Sequence, residues 1–371
     1  MRVPIAKPDI TEKEIEAVVE VLKTDILSIG PKILEFEDAI SKFIGVKNAI
    51  AVNSGTSALH LLVRALDIGE GDEVITTPFS FIASSNCLLF EKAKPVFVDI
   101  EPRTLGMDLD KVEEKITNKT KGILTVDVFG QPFNMERTME IASKYNLKVI
   151  DDACEAIGAE WRGKKVGSFT HSTFAFYPNK QMTTAEGGMI VTDDDEIAEL
   201  CRSMRSQGRS ITGTWLFHER LGFNYRMSEL HAALGVVQFS RLDELLARRE
   251  EVARKYTKRL KDIEGVTIPY IAPEVSRMSW FVYVVRLDKN IDRDKVIDFL
   301  MDQGVQCKPY FTPIHLQPFY TEMFGYKRGD FPVCEEVGDS VLALPFFNKI
   351  TDEEIDYVCS SLEKGIEQNR K

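Results

Sequence analysis

The 371-residue sequence contains only five histidines and no HExxH motif, so we expect no zinc hydrolase and no metal site. Its six cysteines include no CxxC pair. A chain of this length can bury roughly three quarters of its unfolded surface without a disulfide or a metal. We therefore expect reduced thiols and a cytoplasmic protein. The N-terminus lacks the apolar region of a signal peptide, and no apolar run approaches the roughly 18 residues of a membrane span.

Positive charge is also in deficit. Lys and Arg together number 47, whereas Asp and Glu number 58, so the formal net charge is −11. This balance argues against a general binder of nucleic acid or of anionic membranes. It leaves room for a local basic pocket that binds a phosphate.

What the sequence does contain is a regular alternation of strand and helix patterns. Short β-branched runs such as NAIAV (48–52), GILTVDV (122–128) and LKVID (147–151) are separated by helical patterns such as NMERTMEIASKY (134–145). This alternation predicts an α/β fold with a mainly parallel sheet that is covered on both faces. In such sheets ligands bind beyond the carboxyl ends of the strands, so residues at those ends are the first candidates for function.

We predict two domains. The first is a large α/β domain over residues 1–240, which includes the N-terminal helices, and the second is a smaller C-terminal α+β domain over residues 241–371. Apolar spacing predicts a long helical stretch from about residue 228 to 261, and the pattern changes after Gly265. The sequence contains no low-complexity linker, so we expect the two domains to pack tightly.

The first chemical candidate is the segment NSGTSALHLL (53–62), which ends a strand and opens a helix. Gly55 permits a close backbone turn, and the N-terminus of a helix offers free N–H groups to an anion. Thr56 and Ser57 add hydroxyl donors. Alone, the pattern is more typical of an ordinary helix cap. It is neither a Walker loop nor GxGxxG, which argues against ATPases and dinucleotide-binding enzymes.

Two further candidates follow along the chain. Asp151 and Asp152 end an apolar strand, and because neighbouring strand residues point to opposite faces, only one of them should reach a given pocket. Lys180 lies in a loop between two predicted buried strands. An ammonium group without a partner is costly to bury, and a lysine held in such a frame can act as a nucleophile.

In combination, these segments resemble the fold type I pyridoxal-phosphate enzymes, and specifically the DegT/DnrJ/EryC1/StrS family of sugar aminotransferases. The resemblance covers nearly the whole chain. It is carried by LSIGPKILEFE (27–37), IDDACEAIGA (150–159), FYPNKQMTTAEGGM (176–189), GFNYRMSELHAALG (222–235) and PIHLQPFY (313–320). It implies a large α/β domain with a smaller C-terminal α+β domain.

The resemblance also implies a cofactor site. Lys180 matches the Schiff-base lysine that would hold pyridoxal 5′-phosphate covalently, and Asp152 matches the aspartate at the pyridine nitrogen. Gly55, Thr56 and Ser57 match the cradle for the cofactor phosphate. Phe81 matches the ring that stacks on the cofactor. Glu155 occupies the position beside the phenolic oxygen of the cofactor, where the family often has Gln or His.

Three other residues are further candidates. Asn224 matches an asparagine that reaches the cofactor phosphate of the neighbouring subunit, which implies a homodimer with sites shared across its interface. His315 matches a position near the substrate, but a structural role is equally compatible with its type and setting. Arg226 could meet a carboxylate or phosphate, or could brace the subunit contact.

Three departures from the family pattern bear on these expectations. Ala175 stands where many members have a serine that binds the phosphate, so the cradle must depend more on Thr56, Ser57 and Asn224. Asp127 stands where many members have a histidine, which puts a substrate role at that position in doubt. Glu155 is acidic and is therefore expected to shift the protonation balance of the cofactor relative to a glutamine.

The function that the resemblance implies is transfer of an amino group, with glutamate as the expected donor, to a keto-sugar that is expected to be nucleotide-linked, in amino-sugar or polysaccharide biosynthesis. Two alternatives remain at this stage. Related sugar dehydratases have a histidine at the position of Lys180, so the lysine favours transamination. A cofactor-binding regulator that contacts DNA should have a basic face, and the net charge offers no support for one.

Overall fold

The computed structural model describes residues 1–210 and 216–370 of the chain. Its strands are β1 (Asn48–Val52), β2 (Glu73–Thr76), β3 (Lys94–Phe97), β4 (Thr120–Val126), β5 (Lys148–Asp152), β6 (Glu160–Trp161), β7 (Lys164–Lys165), β8 (His171–Ala175), β9 (Gly188–Thr192), β10 (Val266–Thr267), β11 (Val275–Arg277), β12 (Tyr283–Leu287) and β13 (Val341–Leu344). Its α-helices are α1 (Glu12–Leu22), α2 (Pro31–Ile44), α3 (Gly55–Ala65), α4 (Ala83–Phe90), α5 (Met135–Tyr145), α6 (Asp195–Arg205), α7 (Glu229–Ser240), α8 (Leu242–Leu260), α9 (Arg293–Asp302), α10 (Pro318–Phe324), α11 (Pro332–Ser340) and α12 (Asp352–Gln368).

The central sheet has seven strands in the order β1-β9-β8-β5-β4-β2-β3. Strand β9 is antiparallel to both of its neighbours, and the other six strands run in one direction. Every residue of β1 and of β9 is buried, as expected for strands that helices cover on both faces. The prediction of a mainly parallel α/β sheet is confirmed, and the carboxyl ends of β1, β4, β5 and β8 meet at one edge.

The helical stretch predicted from residue 228 to 261 is interrupted, because α7 ends at Ser240 and α8 begins at Leu242. Between them, the guanidinium of Arg241 is buried against α1. Its Nη1 lies 2.7 Å from Glu14 Oε1 and its Nη2 lies 3.4 Å from Asp9 Oδ1. These ion pairs tie the junction to the N-terminal helix. Apolar spacing carries no signal for such a contact.

A smaller sheet, in the order β10-β12-β13, forms the core of the C-terminal part together with α8, α9 and α12. The N-terminus joins it, because Val3 pairs with Val305 in a parallel bridge. One apolar cluster contains Ile50 and Leu124 of the central sheet together with Phe281 and Val337, so the two parts pack tightly, as predicted. The boundary at residue 240 falls at the end of α7 and stays a prediction.

All six cysteines are free thiols, as expected. None of the helices in the described ranges combines the length and the apolar character that a membrane crossing requires.

Candidate active site

The start of α3 lies against the ends of β5 and β8. A Cβ atom on Gly55 would lie 2.8 Å from the Cβ of Ala175 and 2.9 Å from the Sγ of Cys154, so a glycine is required at this approach. The side chain of Ser54 caps the helix by accepting a hydrogen bond from the N–H of Ser57 at 3.1 Å. The first N–H groups of a helix have no partner within it, and they attract an anion. Ala175 lies beside this cradle and contributes no hydroxyl.

Asp152 is buried at the end of β5 and both of its carboxylate oxygens are held. Ser84 Oγ donates to Oδ2 at 2.6 Å, and the N–H of Cys154 donates to Oδ1 at 3.2 Å. Ser80 Oγ lies 2.7 Å from Ser84 Oγ and donates to it, because the hydroxyl hydrogen of Ser84 is used by the carboxylate. Sequence reasoning missed both serines. Ser80 precedes α4 and Ser84 lies in its first turn, so no regular helix spacing marks the pair in the sequence.

Asp151 faces the opposite side of the sheet, as the alternation of strand side chains predicts. Its carboxylate accepts hydrogen bonds from Thr125 Oγ1 at 2.9 Å and from Ser172 Oγ at 3.2 Å, and the side chain has no exposed surface. Burial disfavours its charged form and raises its pKa to about 7. The two neighbouring aspartates therefore have different surroundings, and only Asp152 belongs to the candidate site.

The raised pKa of Asp151 predicts a pH-dependent stability. A carboxyl group with a higher pKa in the folded chain binds more protons there, so its contribution to the free energy of unfolding falls as pH rises from about 4 to 7. We expect Asp151→Asn to lose that dependence. The free energy of unfolding is measured with urea at pH 5 and at pH 8. Its change between the two pH values should be about 1–3 kcal/mol smaller in the variant than in the parent. The exposed Asp110→Asn serves as the control, and equal differences in parent and Asp151→Asn would contradict the prediction.

Lys180 follows β8 in a short loop, and its backbone N–H donates to the carbonyl of Tyr177 at 2.9 Å. The side chain is only 12% exposed. Its Nζ lies 3.7 Å from Glu155 Oε1 and 3.9 Å from the centre of the Phe281 ring. A largely buried amine is thus placed between a carboxyl group and the face of an aromatic ring, both of which favour a positive charge.

Glu155 links the lysine to the neighbouring loop. Its second oxygen, Oε2, accepts a hydrogen bond from the N–H of Phe129 at 2.8 Å. Burial raises the pKa of Glu155, and the charge of Asp152 adds to this effect, while Lys180 and the Phe129 bond oppose it. Because Lys180 and Asp152 both act on this carboxyl group, the three predicted residues belong to one electrostatic site.

The wall that carries Phe281 is fixed by backbone pairing across the two parts of the chain. Ser279 N–H donates to the carbonyl of Gly130 at 3.0 Å, and Phe281 N–H donates to that of Phe129 at 3.2 Å. The buried guanidinium of Arg249 donates to the carbonyl of Phe281 at 2.8 Å. Sequence reasoning missed Phe281, and no local pattern marks it, because its contact with the lysine arises only when the C-terminal part packs on the central sheet.

Phe81 and Asn224 are both exposed. Phe81 lies two residues before α4, is 60% exposed, and its carbonyl accepts a hydrogen bond from the N–H of Ser84 at 3.2 Å. Ser84 also donates to the Asp152 carboxylate, so a single residue connects Phe81 to that carboxylate. Asn224 pairs with Ser206 in an antiparallel bridge on a different segment. Their roles toward a cofactor stay predictions.

The remaining candidates lie in other surroundings. Arg226 is half-buried, and its Nη1 lies 3.4 Å from Ser206 Oγ. His315 has no exposed surface, and its Nε2 lies 3.0 Å from Glu335 Oε1. Asp127 is fully buried and accepts from the N–H of Phe133 at 2.6 Å. In the single chain the side chains of His315 and Asp127 are both inaccessible to solvent. The substrate role of His315 stays a prediction.

Known proteins are similar to this chain over almost its full length. A profile of the DegT/DnrJ/EryC1/StrS aminotransferase family matches residues 8–363. The chain is 41% identical over 368 residues to GDP-perosamine synthase of Caulobacter vibrioides, which covers 98% of each protein. Helicobacter pylori PseC, an aminotransferase involved in the biosynthesis of pseudoaminic acid, superimposes with a TM-score of 0.95 at 30% identity, covering 99% of this chain and 100% of PseC. Spr1654 of Streptococcus pneumoniae, solved in its PLP form, gives a TM-score of 0.94 at 28% identity and 99% coverage of both chains.

Proposed function

Because this chain belongs to the DegT/DnrJ/EryC1/StrS aminotransferase family, we propose that Lys180, Asp152 and the start of α3 form the site at which it transfers an amino group. The enzyme is a pyridoxal-phosphate-dependent aminotransferase that acts on a keto-sugar in amino-sugar biosynthesis. The observation that carries the assignment of residues is the buried Lys180 amine, 3.7 Å from Glu155 Oε1 at the edge of the sheet where Asp152 ends β5.

The residues present suit this cofactor. The start of α3 offers N–H groups for a phosphate, and the close packing at Gly55 leaves room there for no side chain. The Asp152 carboxylate, oriented by Ser84, suits a protonated pyridine nitrogen. The Lys180 amine suits an aldehyde. Phe81 is exposed beside the Asp152 loop and is available to cover a flat ring.

When bound, pyridoxal phosphate supplies an aldehyde carbon that accepts the amino group and an aromatic ring that withdraws electrons. The protein holds the ring nitrogen through Asp152 and the phosphate through the start of α3. The carboxylate of Asp152 keeps a proton on that nitrogen. The phosphate contacts are the ones that retain the cofactor whenever Lys180 is not bonded to it.

Lys180 moves a proton at its Nζ atom. A general base must lie next to the proton that it takes, and it must be able to release it again. Nζ lies 3.7 Å from Glu155 Oε1 and 3.9 Å from the centre of the Phe281 ring, and these neighbours define where the amine would take and release the proton. Because the side chain is only 12% exposed, the surrounding protein excludes most of the water that would compete for this proton.

We also propose that the enzyme is a homodimer with shared sites. A run of apolar side chains between α1 and the first turns of α2 is exposed in the single chain, with Leu22, Ile29 and Leu34 each more than half exposed. Several large apolar side chains exposed within one short stretch of the chain suit a surface that a partner chain covers. The exposed Asn224 is the residue that would reach the phosphate of the partner.

The acceptor that we propose is nucleotide-linked, and the donor that we propose is glutamate. One relative is a GDP-perosamine synthase, which supports a nucleoside diphosphate on the sugar. Such a group needs local positive charge on a chain whose net charge is −11. Arg226 is the candidate, because its guanidinium is only half-buried and lies 3.4 Å from Ser206 Oγ, on the residue that pairs with Asn224.

The reaction is tested in two halves. We expect glutamate alone to convert the visible absorbance of the lysine-bound cofactor into that of pyridoxamine phosphate, with release of 2-oxoglutarate. Addition of a keto-sugar nucleotide should then restore the original spectrum and yield an amino sugar. If a broad panel of amino donors leaves the spectrum unchanged, the protein is not the aminotransferase proposed. If keto-sugars lose water instead, it is a dehydratase.

A further inference from the structure

The phosphate-binding helix α3 carries a polar stripe that the function proposed above does not use. His60 stands one turn after Thr56 and therefore lies on the same face of the helix. It is buried, its Nε2 lies 2.7 Å from Glu91 Oε1, and its Nδ1 lies 3.1 Å from the hydroxyl of Tyr225. Because a carboxylate can only accept, Nε2 carries the hydrogen that bonds Glu91, and Nδ1 is left to form the hydrogen bond with the Tyr225 hydroxyl.

Aromatic contacts reinforce the same junction. The ring of His60 lies 4.7 Å from that of Phe223. One further turn along α3, Arg64 lies over the Phe223 ring at 5.7 Å and also pairs with Glu91 at 2.7 Å. The rings of Phe223 and Tyr225 are stacked, with centres 4.9 Å apart and planes 10° apart. One face of α3 is thus packed on two aromatic rings of the segment that carries Asn224.

Both backbone polar groups of Tyr225 form hydrogen bonds that fix this segment. Its N–H donates to the carbonyl of Arg205 at 2.9 Å, and its carbonyl accepts from the N–H of Asn53 at 2.9 Å. Phe223 and Tyr225 share one side of this extended segment, so the side chain of Asn224, between them, lies on the other side. Asn224 is exposed, as a residue that serves another chain must be.

We propose that His60 and Tyr225 are positioning residues. They connect the phosphate cradle of one chain to Asn224 of the same chain, and this asparagine reaches the cofactor phosphate that the partner chain binds. This inference rests on the shared site proposed above. Helix α3, which begins at the cradle, holds Tyr225 through His60, and Tyr225 fixes the residue beside it. A short, packed path therefore couples the start of α3 to the residue that serves the partner's site.

The first test is binding of pyridoxamine phosphate to the protein freed of cofactor, since this ligand forms no bond with Lys180 and depends on its phosphate contacts. Tyr225→Phe keeps the stacked ring and removes the hydrogen bond to His60. We expect its dissociation constant to rise about threefold to tenfold, as for the loss of one hydrogen bond. Tyr256→Phe is the matched control, because it removes a buried hydroxyl bond of 2.8 Å to the carbonyl of Pro345 in the C-terminal core. It should change the constant less than twofold.

The second test uses hybrid dimers with a single Lys180, in which the visible absorbance of pyridoxal phosphate reports one site only. In the first hybrid, Lys180→Ala and Tyr225→Phe lie on the same chain, so the remaining site depends on the altered chain for its Asn224. We expect weaker binding there. In the second hybrid the two substitutions lie on different chains, and the remaining site receives Asn224 from a chain with an intact Tyr225. We expect binding as in the parent.

The outcomes separate this inference from the function on which it rests. Asn224→Ala, introduced in place of Tyr225→Phe, should weaken the same hybrid. If it weakens that hybrid and Tyr225→Phe does not, the shared site stands and the coupling is wrong. If Asn224→Ala has no effect in either arrangement, the shared site fails and the coupling fails with it. Weakening only when Tyr225→Phe lies on the chain that keeps Lys180 would also overturn the coupling.

Discussion

Lys180→Ala is expected to abolish amino transfer, with kcat reduced by roughly 10³-fold or more, because in the mechanism proposed above one side chain both bonds the cofactor and carries the transferred proton. Alanine leaves Glu155 and the Phe281 ring in place but removes the amine that lies 3.7 Å from the carboxyl group. The expected loss therefore exceeds that of a residue which only binds. Single-turnover kinetics of the glutamate half-reaction measure it directly.

Lys165 offers a matched control for this substitution. Its Nζ also lies 3.9 Å from the centre of a phenylalanine ring, that of Phe43, but it lies in β7 beside α2. Lys165→Ala should keep the parental kcat. Reduction of the cofactor-loaded enzyme with borohydride, followed by peptide mapping, identifies the bonded lysine independently of activity. A label on any lysine other than Lys180 would refute the assignment.

Sequence patterns predicted the features that depend on residues close together along the chain. The carboxyl ends of parallel strands meet at one edge of the sheet. The alternation of strands and helices therefore predicted that Gly55, Asp152 and Lys180 lie toward the same edge. The period of a strand separated Asp152 from Asp151, and the hydrogen bonds of the two carboxylates agree with that separation. The family resemblance added the identity of the cofactor, which no spacing reveals.

The parts that escaped prediction depend on contacts between distant segments. Phe281 reaches the lysine because the C-terminal part packs on the central sheet, and Arg249 supports it from α8. At the interruption between α7 and α8, Arg241 forms ion pairs with Glu14 of the N-terminal helix and with Asp9, which precedes it. His315 matches a family position near the substrate, and in the structure its ring is packed against Phe331, 4.7 Å away, so both roles weighed for it stay open. Burial of a polar side chain is decided by its neighbours in space.

Asp152→Asn is expected to leave the fold intact and to lower kcat by about 10²-fold to 10⁴-fold, the range associated with loss of proton-holding chemistry. The amide has nearly the shape of the carboxylate, so the bonds from Ser84 and Cys154 can be kept in part. It carries no negative charge, however, and cannot stabilise a proton on the pyridine nitrogen. A bound cofactor ring would then withdraw electrons less strongly, and the proton that Lys180 is proposed to remove would be harder to take.

The neighbouring aspartate provides the control, because Asp151→Asn changes the same functional group one residue away on the opposite face of the sheet. It should retain the parental kcat at pH 8 while its stability changes as described above. Ser84→Ala should give an intermediate loss of about tenfold, since it removes one hydrogen bond to a charged group and leaves the charge itself. Thermal unfolding of each variant verifies that the fold is retained. If Asp152→Asn turns over like the parent, or if Asp151→Asn is the variant that loses activity, then the carboxylate that serves the cofactor is not Asp152.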